Sequence, residues 1–277
     1  MNKKRIHSAG VALGGGAARG WAHIGVIQAL TEKNISISHI AGTSIGAFVG
    51  SFLASGTIDR LLENVLPFTR RQSWKYLDFG FSKAGIMSGR RITSFLEKNL
   101  GVQTFADITT PFATVAADLR TGREVIFSQG SLVEAVRASI AVPGVFTPVQ
   151  KGDLLLSDGG LVNPVPVNIV RRLGADFVIA VDLNAVPGDD VPVSAAGDVA
   201  ASEGSVLSVP HPNVLSIAGA SANIIQARLT ELQLRADPPD LLICPNLSRI
   251  GYMDFTKGEI AVKAGYDAAV QCLNNLG

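Results

Sequence analysis

Short apolar runs alternate with helical patterns along most of this chain, and this alternation limits the fold more than any other feature. Residues 10–13 form an apolar run that ends in a glycine turn, after which residues 20–33 have the periodicity of a helix. A second pair follows, with a strand predicted at 37–41 and a helix at 45–54. Repeated strand-helix units are typical of a mostly parallel sheet. We therefore expect an α/β fold, a three-layer α/β/α sandwich with helices on both faces of a central sheet.

Later segments extend this pattern. Residues 112–117 and 125–127 flank turn residues and predict a hairpin. The pattern at 131–140 indicates a helix, and the apolar residues 154–156 indicate a strand. Residues 177–181 are apolar at every position, which predicts a strand that is buried on both faces.

The chain length of 277 residues suits one domain, which we predict to span 1–277 with its motif-bearing part at about 8–185. A strand and a closing helix are expected within 240–277. Two segments lack periodicity: 70–89 carries aromatic residues among glycines, and 184–212 is rich in Pro, Gly, Ser, Ala and Asp. Loops of this length are usually lids, binding loops or disordered connections, and we expect both segments to border an acyl pocket, with 184–212 as its lid.

Charge and hydropathy exclude several classes of protein. With 24 basic and 23 acidic residues, the chain has no global field that would attract nucleic acid, and no nucleic-acid partner is expected. The basic residues 1–5 are not followed by the apolar stretch of a secretory signal. The apolar residues 40–56 are interrupted by serines and glycines, and they fall short of the roughly 20 residues that span a membrane. We expect a soluble, cytoplasmic protein. The sequence leaves open both peripheral contact with the inner membrane and the oligomeric state.

The two cysteines do not indicate a metal site. Cys244 and Cys272 lack the spacing of metal ligands, and we expect them to be reduced thiols.

A glycine-rich turn from Gly14 to Gly20 lies between the first strand and the first helix. Main-chain N–H groups at such a turn converge on an anion. A dinucleotide fingerprint would need Gly or Ala in place of Arg19, and a phosphate loop would need Lys in place of Trp21. An oxyanion hole is the remaining functional interpretation, and a turn that merely allows close packing is the alternative. Arg19 is expected to steady the loop or to meet a phosphate group.

The five residues from Gly42 to Gly46 match Gly-x-Ser-x-Gly at the end of a predicted strand that turns directly into a helix. In this motif the central residue, here Ser44, occupies a cramped turn that exposes its hydroxyl, and the flanking positions must be small. Ser44 is therefore a candidate nucleophile. The alternative is a serine that only caps the helix.

A serine hydroxyl needs a base to accept its proton, and two candidates follow Ser44 in the chain. His211 is the only histidine after Ser44, but it lies between two prolines in the segment without periodicity. Asp158 follows a predicted strand and precedes Gly159 and Gly160, which would let a partner approach its carboxylate. An ordinary Asp-Gly turn is the structural alternative at this position.

Taken together, these motifs resemble the patatin-like phospholipase family. The family's glycine-rich loop, Gly-Gly-Gly-x-Arg/Lys-Gly, is matched by Gly14 to Gly20 with one residue of latitude. Its Gly-x-Ser-x-Gly elbow is matched by Gly42 to Gly46, and its Asp-Gly-Gly/Ala motif by Asp158 to Gly160. The segment from Ala138 to Pro148 also resembles the family block that precedes the aspartate. The resemblance covers about 8–185.

The resemblance implies a Ser44-Asp158 catalytic dyad without histidine, acting on carboxylic ester bonds of a lipid or small ester. It also implies that main-chain amides of the glycine loop hold the oxyanion, and that neither a metal nor an organic cofactor is needed. The oxyanion candidates are Gly14, Gly15 and Gly16. The supporting residues are Arg19, Gly42, Gly46, Gly159 and Gly160.

Two alternatives remain open from the sequence. The first is an esterase of the α/β-hydrolase type with a Ser44-Asp158-His211 triad. The second is a module that binds a nucleotide or phospholipid through the glycine turn without chemistry.

Overall fold

A central eight-stranded sheet organises the computed structural model, which describes residues 6–65, 79–82, 85–185 and 214–276. The strands are β1 (Ser8–Leu13), β2 (Ser36–Thr43), β3 (Phe79–Ser82), β4 (Gly85–Met87), β5 (Phe112–Asp118), β6 (Glu124–Phe127), β7 (Val149–Lys151), β8 (Leu154–Asp158), β9 (Val178–Val181) and β10 (Leu241–Ile243). Their order in the sheet is β10-β9-β1-β2-β5-β8-β7, with β6 also paired to β5, while β3 and β4 form a separate hairpin.

Helices cover both faces of this sheet. They are α1 (Ala22–Glu32), α2 (Ile45–Ala54), α3 (Ile58–Val65), α4 (Arg90–Asn99), α5 (Leu132–Ser139), α6 (Val167–Arg172), α7 (Val214–Ala236) and α8 (Gly258–Asn275). Alternate residues of β1 point into two cores: Val11 and Leu13 join the core with α1, α2 and α8, and Ala12 joins the core with α6. The strand β9 alternates in the same way. This arrangement confirms the predicted three-layer α/β/α sandwich.

The pairing of β5 brings two distant strand ends together. The strand β2 runs parallel to β5 and ends where Thr43 pairs with Val115. The strand β8 runs antiparallel to β5 and ends where Asp158 pairs with Ala116. The strand β6 pairs with β5 at both Val115 and Ala116 and therefore occupies one edge of β5 there. The strands β2 and β8 must both lie along the opposite edge of β5. Their carboxyl-terminal ends therefore meet head to head, one residue apart in register.

Several predicted elements are confirmed. The hairpin β5-β6, the helix α5 and the strand β8 occupy the expected positions, and all four residues of β9 are buried. The sequence does not predict the helices α3, α4, α6 and α7. The two segments expected to border the pocket lie mostly outside the described residues. The structure describes 79–82 and 85–89 of the first segment, and 184–185 of the second.

The last part of the chain is integral to the sandwich. The strand β10 pairs parallel with β9 at the edge of the sheet. The helix α8 packs closely on α1, since a Cβ at Gly25 or Gly265 would lie less than 3.0 Å from main-chain atoms of the other helix. Across the residues that the structure describes, no helix is long and apolar enough to cross a membrane.

Candidate active site

The side chain of Ser44 lies at the turn between β2 and α2. Its backbone has φ 57° and ψ −124°, and such a positive φ is uncommon for residues other than glycine. The main-chain N–H of Ser44 donates to Oγ of Ser139, at 2.9 Å, which helps to hold this conformation. Only 6% of Ser44 is exposed. The geometry is that of a strained strand-to-helix elbow.

Small residues are required on both sides of Ser44. A Cβ at Gly42 would lie less than 3.0 Å from the main chain of Gly46 and Ala47, and a Cβ at Gly46 would lie equally close to the carbonyl of Leu13. These are backbone atoms, which cannot move aside cheaply. The two glycines therefore allow β2, α2 and β1 to meet at the elbow.

The carboxylate of Asp158 lies directly against Ser44. The hydroxyl of Ser44 donates to Oδ2 of Asp158 at 2.5 Å, and the N–H of Gly160 donates to Oδ1 at 2.8 Å. Gly159 is needed because a Cβ there would collide with the carbonyl of Val115. Gly160 leaves room for the side chain of Gln226, from α7. Both oxygens of the carboxylate are thus held in place.

Burial alters the acidity of this carboxyl group. Asp158 is 2% exposed, and burial raises its pKa from 3.8 to about 6, although the hydrogen bonds from Ser44 and Gly160 act in the opposite direction. A carboxylate with this pKa is a stronger base than an exposed one and is still mostly ionised at neutral pH.

The glycine loop lies beside Ser44, but two of its amides are already used. The N–H of Gly14 donates to the carbonyl of Val181 at 3.1 Å, and that of Gly15 to Pro164 at 3.0 Å. Among the residues that the structure describes, the N–H groups of Gly16 and Ala17 have no acceptor. The N–H groups of Gly14 and Gly15 thus brace the loop, which favours Gly16, joined by Ala17, among the expected oxyanion donors Gly14, Gly15 and Gly16; the assignment of these donors stays a prediction.

Two side chains hold the carbonyl groups of this loop. Nε2 of His23 is 2.8 Å from the carbonyl oxygen of Gly14, and Nδ2 of Asn184 donates to the carbonyl of Gly15 at 3.1 Å. Burial lowers the pKa of His23 from 6.5 to about 4, so the ring is neutral at pH 7 and Nε2 carries the proton that Gly14 accepts.

Arg19 braces the loop against the carboxyl-terminal part of the chain. Its Nε donates to the carbonyl of Ile250 at 3.2 Å, and its Nη1 donates to Oδ1 of Asn184 at 3.5 Å. The N–H of Ala18 donates to the carbonyl of Tyr252 at 3.0 Å. Of the two roles expected for Arg19, these contacts favour steadying the loop.

The structure thus brings Ser44, Asp158 and the glycine loop together, whereas His211 lies outside the described residues. Three contacting residues were not singled out from the sequence: Ser139, His23 and Asn184. Ser139 falls in the block from 138 to 148, and His23 is a polar residue between the apolar Ala22 and Ile24, which is a usable signal for a specific hydrogen bond.

Comparison with known proteins agrees with the resemblance that the sequence motifs indicate. A family model described as patatin-like phospholipase matches residues 11–171. An uncharacterised NTE family protein of Mycobacterium tuberculosis is 42% identical over 174 residues, which cover 63% of this chain and 48% of that protein. The chain thus spans about half the length of this relative.

Two more distant proteins match nearly the whole chain. The lysophospholipase NTE1 of Coccidioides immitis is 31% identical over 288 residues, which cover 97% of this chain but 18% of that protein. The crystal structure of VipD from Legionella pneumophila aligns with a TM-score of 0.53 at 16% identity, over 97% of this chain and 67% of that chain. The second match supports the fold alone.

Proposed function

Because this chain belongs to the patatin-like phospholipase family, we propose that it is a lipid acyl hydrolase that cleaves carboxylic ester bonds. Ser44 is the nucleophile and Asp158 is the base in this proposal. One observation carries it: the hydroxyl of Ser44 donates directly to Oδ2 of Asp158 at 2.5 Å, where the ends of β2 and β8 meet.

The reaction begins with attack of Ser44 Oγ on the ester carbonyl carbon while Asp158 takes the hydroxyl proton. As the tetrahedral intermediate collapses, the protonated carboxyl gives this proton to the departing alcohol oxygen, and the acyl group stays on Ser44. A water molecule then attacks the acyl-serine, again losing its proton to Asp158. Release of the fatty acid returns the proton to Ser44 and restores the dyad.

The negative charge that develops on the carbonyl oxygen needs hydrogen-bond donors that are already oriented. The N–H of Gly16 is our first candidate, with that of Ala17 beside it, because neither has an acceptor within the described residues. Gly14 and Gly15 contribute by fixing the shape of the loop. The loop also lies at the N-terminal side of a short helical turn, which favours negative charge.

The contact between Ser44 and Asp158 also bears on the alternatives. In a Ser-His-Asp triad the imidazole lies between the hydroxyl and the carboxylate. Here the two groups touch, and Oδ1 of Asp158 is occupied by Gly160, so a dyad is favoured over a triad with His211. A module that only binds a phosphate would not need a strained serine against a buried carboxylate.

The test is hydrolysis of medium-chain p-nitrophenyl esters, with labelling by a fluorophosphonate probe. We expect the wild type to turn over the ester and to be labelled at Ser44, and the Ser44→Ala protein to do neither. Ser36→Ala is the matched control, because Ser36 is exposed at the opposite end of β2 and should be replaceable without loss. Undiminished turnover by the Ser44→Ala protein would refute the proposal, and loss of turnover in His211→Ala would restore the triad.

The first substrate class to examine is a phospholipid with one acyl chain. The name of the Coccidioides relative, a lysophospholipase, motivates this choice. Comparing lysophospholipids with two-chain phospholipids and simple esters would define the preferred class, and membrane contact would be measured in parallel by sedimentation with vesicles.

A further inference from the structure

We infer that Asn184 is a positioning residue for the oxyanion loop: it holds the carbonyl of Gly15 so that the N–H of Gly16 is oriented toward the reacting carbonyl oxygen. This inference rests on the proposed function and extends it to a residue that lies beyond the segment matched by the family.

The position of Asn184 follows from the sheet. The strand β9 is the parallel neighbour of β1, so both strands end at the same edge of the sheet. The glycine loop follows β1, and Asn184 lies three residues after the end of β9. The N–H of Asn184 donates to Oδ1 of Asp182 at 2.9 Å, which anchors its main chain beside the loop.

The orientation of the Asn184 carboxamide is defined by its two partners. Arg19 has only donors, so the group that faces its Nη1 at 3.5 Å must be the oxygen Oδ1. The carbonyl of Gly15 is only an acceptor, so the group that faces it at 3.1 Å must be the nitrogen Nδ2. Reversing the amide would break both contacts. The group of Asn184 that holds the carbonyl of Gly15 is therefore the Nδ2 donor, and the Oδ1 oxygen could not take its place.

Holding the carbonyl of Gly15 also fixes the next amide. The carbonyl of Gly15 and the N–H of Gly16 belong to one planar peptide group and point in opposite directions. The N–H of Gly16 has no acceptor within the described residues. Gly15 lies beside the nucleophile, since a Cβ built on it would be 3.4 Å from Cβ of Ser44. Asn184 thus holds the Gly15-Gly16 peptide by its carbonyl oxygen, and the N–H of Gly16 on the opposite side of the peptide remains available to the oxyanion.

The loop needs such a restraint because of its composition. Three consecutive glycines have wide access to φ and ψ, so the Gly15-Gly16 peptide would rotate easily without an external partner. Donors contribute to catalysis when they are oriented before the charge develops. His23 restrains the preceding peptide through the carbonyl of Gly14, and Asn184 restrains the one that carries the candidate donor.

The test compares wild type, Asn184→Asp and Asn184→Ala with p-nitrophenyl esters. Asn184→Asp keeps the shape but replaces the donor to Gly15 with an acceptor. We expect kcat to fall roughly 10- to 100-fold in both variants while KM changes less than about threefold, since one oriented donor is worth about 10²–10³ in kcat. Asn184→Gln, which keeps the carboxamide, should recover part of the rate. Asn274→Asp, in the exposed last turn of α8, is the matched control.

A thionoester substrate distinguishes the loss of an oriented oxyanion donor from general structural damage to the variants. Its sulfur is a poor hydrogen-bond acceptor, so it gains little from the oxyanion donors. We expect the Asn184 variants to lose more kcat/KM on the oxygen ester than on the matching thionoester. An equal loss on both substrates, or no loss, would overturn the inference. If Ser44→Ala remained active as well, the proposed function itself would fail, whereas an inactive Ser44→Ala with fully active Asn184 variants would refute the role of Asn184 alone.

Discussion

Replacing Asp158 with Asn should lower activity strongly, and the stability of the variant relative to wild type should rise as the pH increases. The buried carboxyl has a pKa of about 6 in the folded protein, against 3.8 as its ordinary value. The folded state therefore binds this proton more tightly than the unfolded chain does. Stability from this group is fully present below pH 3.8 and is lost as the pH rises through 6.

The size of the effect follows from the difference between the two pKa values, about two pH units. Each unit corresponds to 1.36 kcal/mol, so ionised Asp158 lowers the free energy of unfolding by about 3 kcal/mol at pH 8. The Asp158→Asn protein carries no such charge. Hydrogen bonds that the substitution alters, such as the one with Ser44, add a contribution that does not change with pH in this range.

The assay is denaturant unfolding of wild type and Asp158→Asn at several values between pH 4 and pH 8. We expect the stability of the variant relative to wild type to rise by up to about 3 kcal/mol across this range. Esterase activity should fall by roughly 10²–10⁴-fold, the usual contribution of a general base. Asp153→Asn, in the exposed turn before β8, is the matched control and should not reproduce the rise. A stability difference that stays constant with pH would refute the reasoning.

Two further substitutions test the supports of the site. Gly46→Ala places a Cβ less than 3.0 Å from the carbonyl of Leu13, so thermal unfolding should report a loss of about 1–3 kcal/mol or more, whereas Gly251→Ala, with its nearest atom 3.7 Å away, should be tolerated. Equal stability of these two proteins would contradict the packing at the elbow. Burial lowers the pKa of His23 to about 4, so wild-type stability from this group is present above pH 6.5 and falls by roughly 3 kcal/mol as the pH drops through 4. Unfolding titrations of His23→Gln should lack this fall, and an unchanged pH dependence would disprove the role of His23.

Local sequence signals were sufficient for the strands that form the centre of the sheet. The residues of β9 are all apolar because the strand is buried on both faces, and such a run is recognisable without knowledge of its neighbours. The helix α7 was missed because its described residues include small and polar side chains with no strong apolar stripe. Its packing against the turn after Asp158 is a tertiary effect that periodicity does not report.

Motif spacing predicts Ser44 and Asp158 as the candidate dyad, but it does not give the reason why the two side chains meet. Spacing cannot reveal that β2 and β8 share one edge of β5 while β6 occupies the other. The hydrogen bonds that the N–H groups of Gly14 and Gly15 donate cannot be predicted from the sequence either, because the acceptors Val181 and Pro164 are more than 140 residues away in the chain. The proposal of Gly16 as the oxyanion donor therefore depends on contacts that only the structure shows.

The two buried titratable groups of the site also have opposite effects on stability. Asp158 weakens folding as the pH rises from 3.8 to 6, and His23 strengthens it as the pH rises from 4 to 6.5. Both effects are about 3 kcal/mol, so they nearly cancel in the wild type, whose stability will vary little with pH on their account. Replacing either residue removes its contribution to the pH dependence of stability and leaves the opposite contribution of the other residue. Relative to wild type, the Asp158→Asn protein should therefore gain stability as the pH rises, and the His23→Gln protein should lose stability. These two opposite differences together test the burial of Asp158 and of His23.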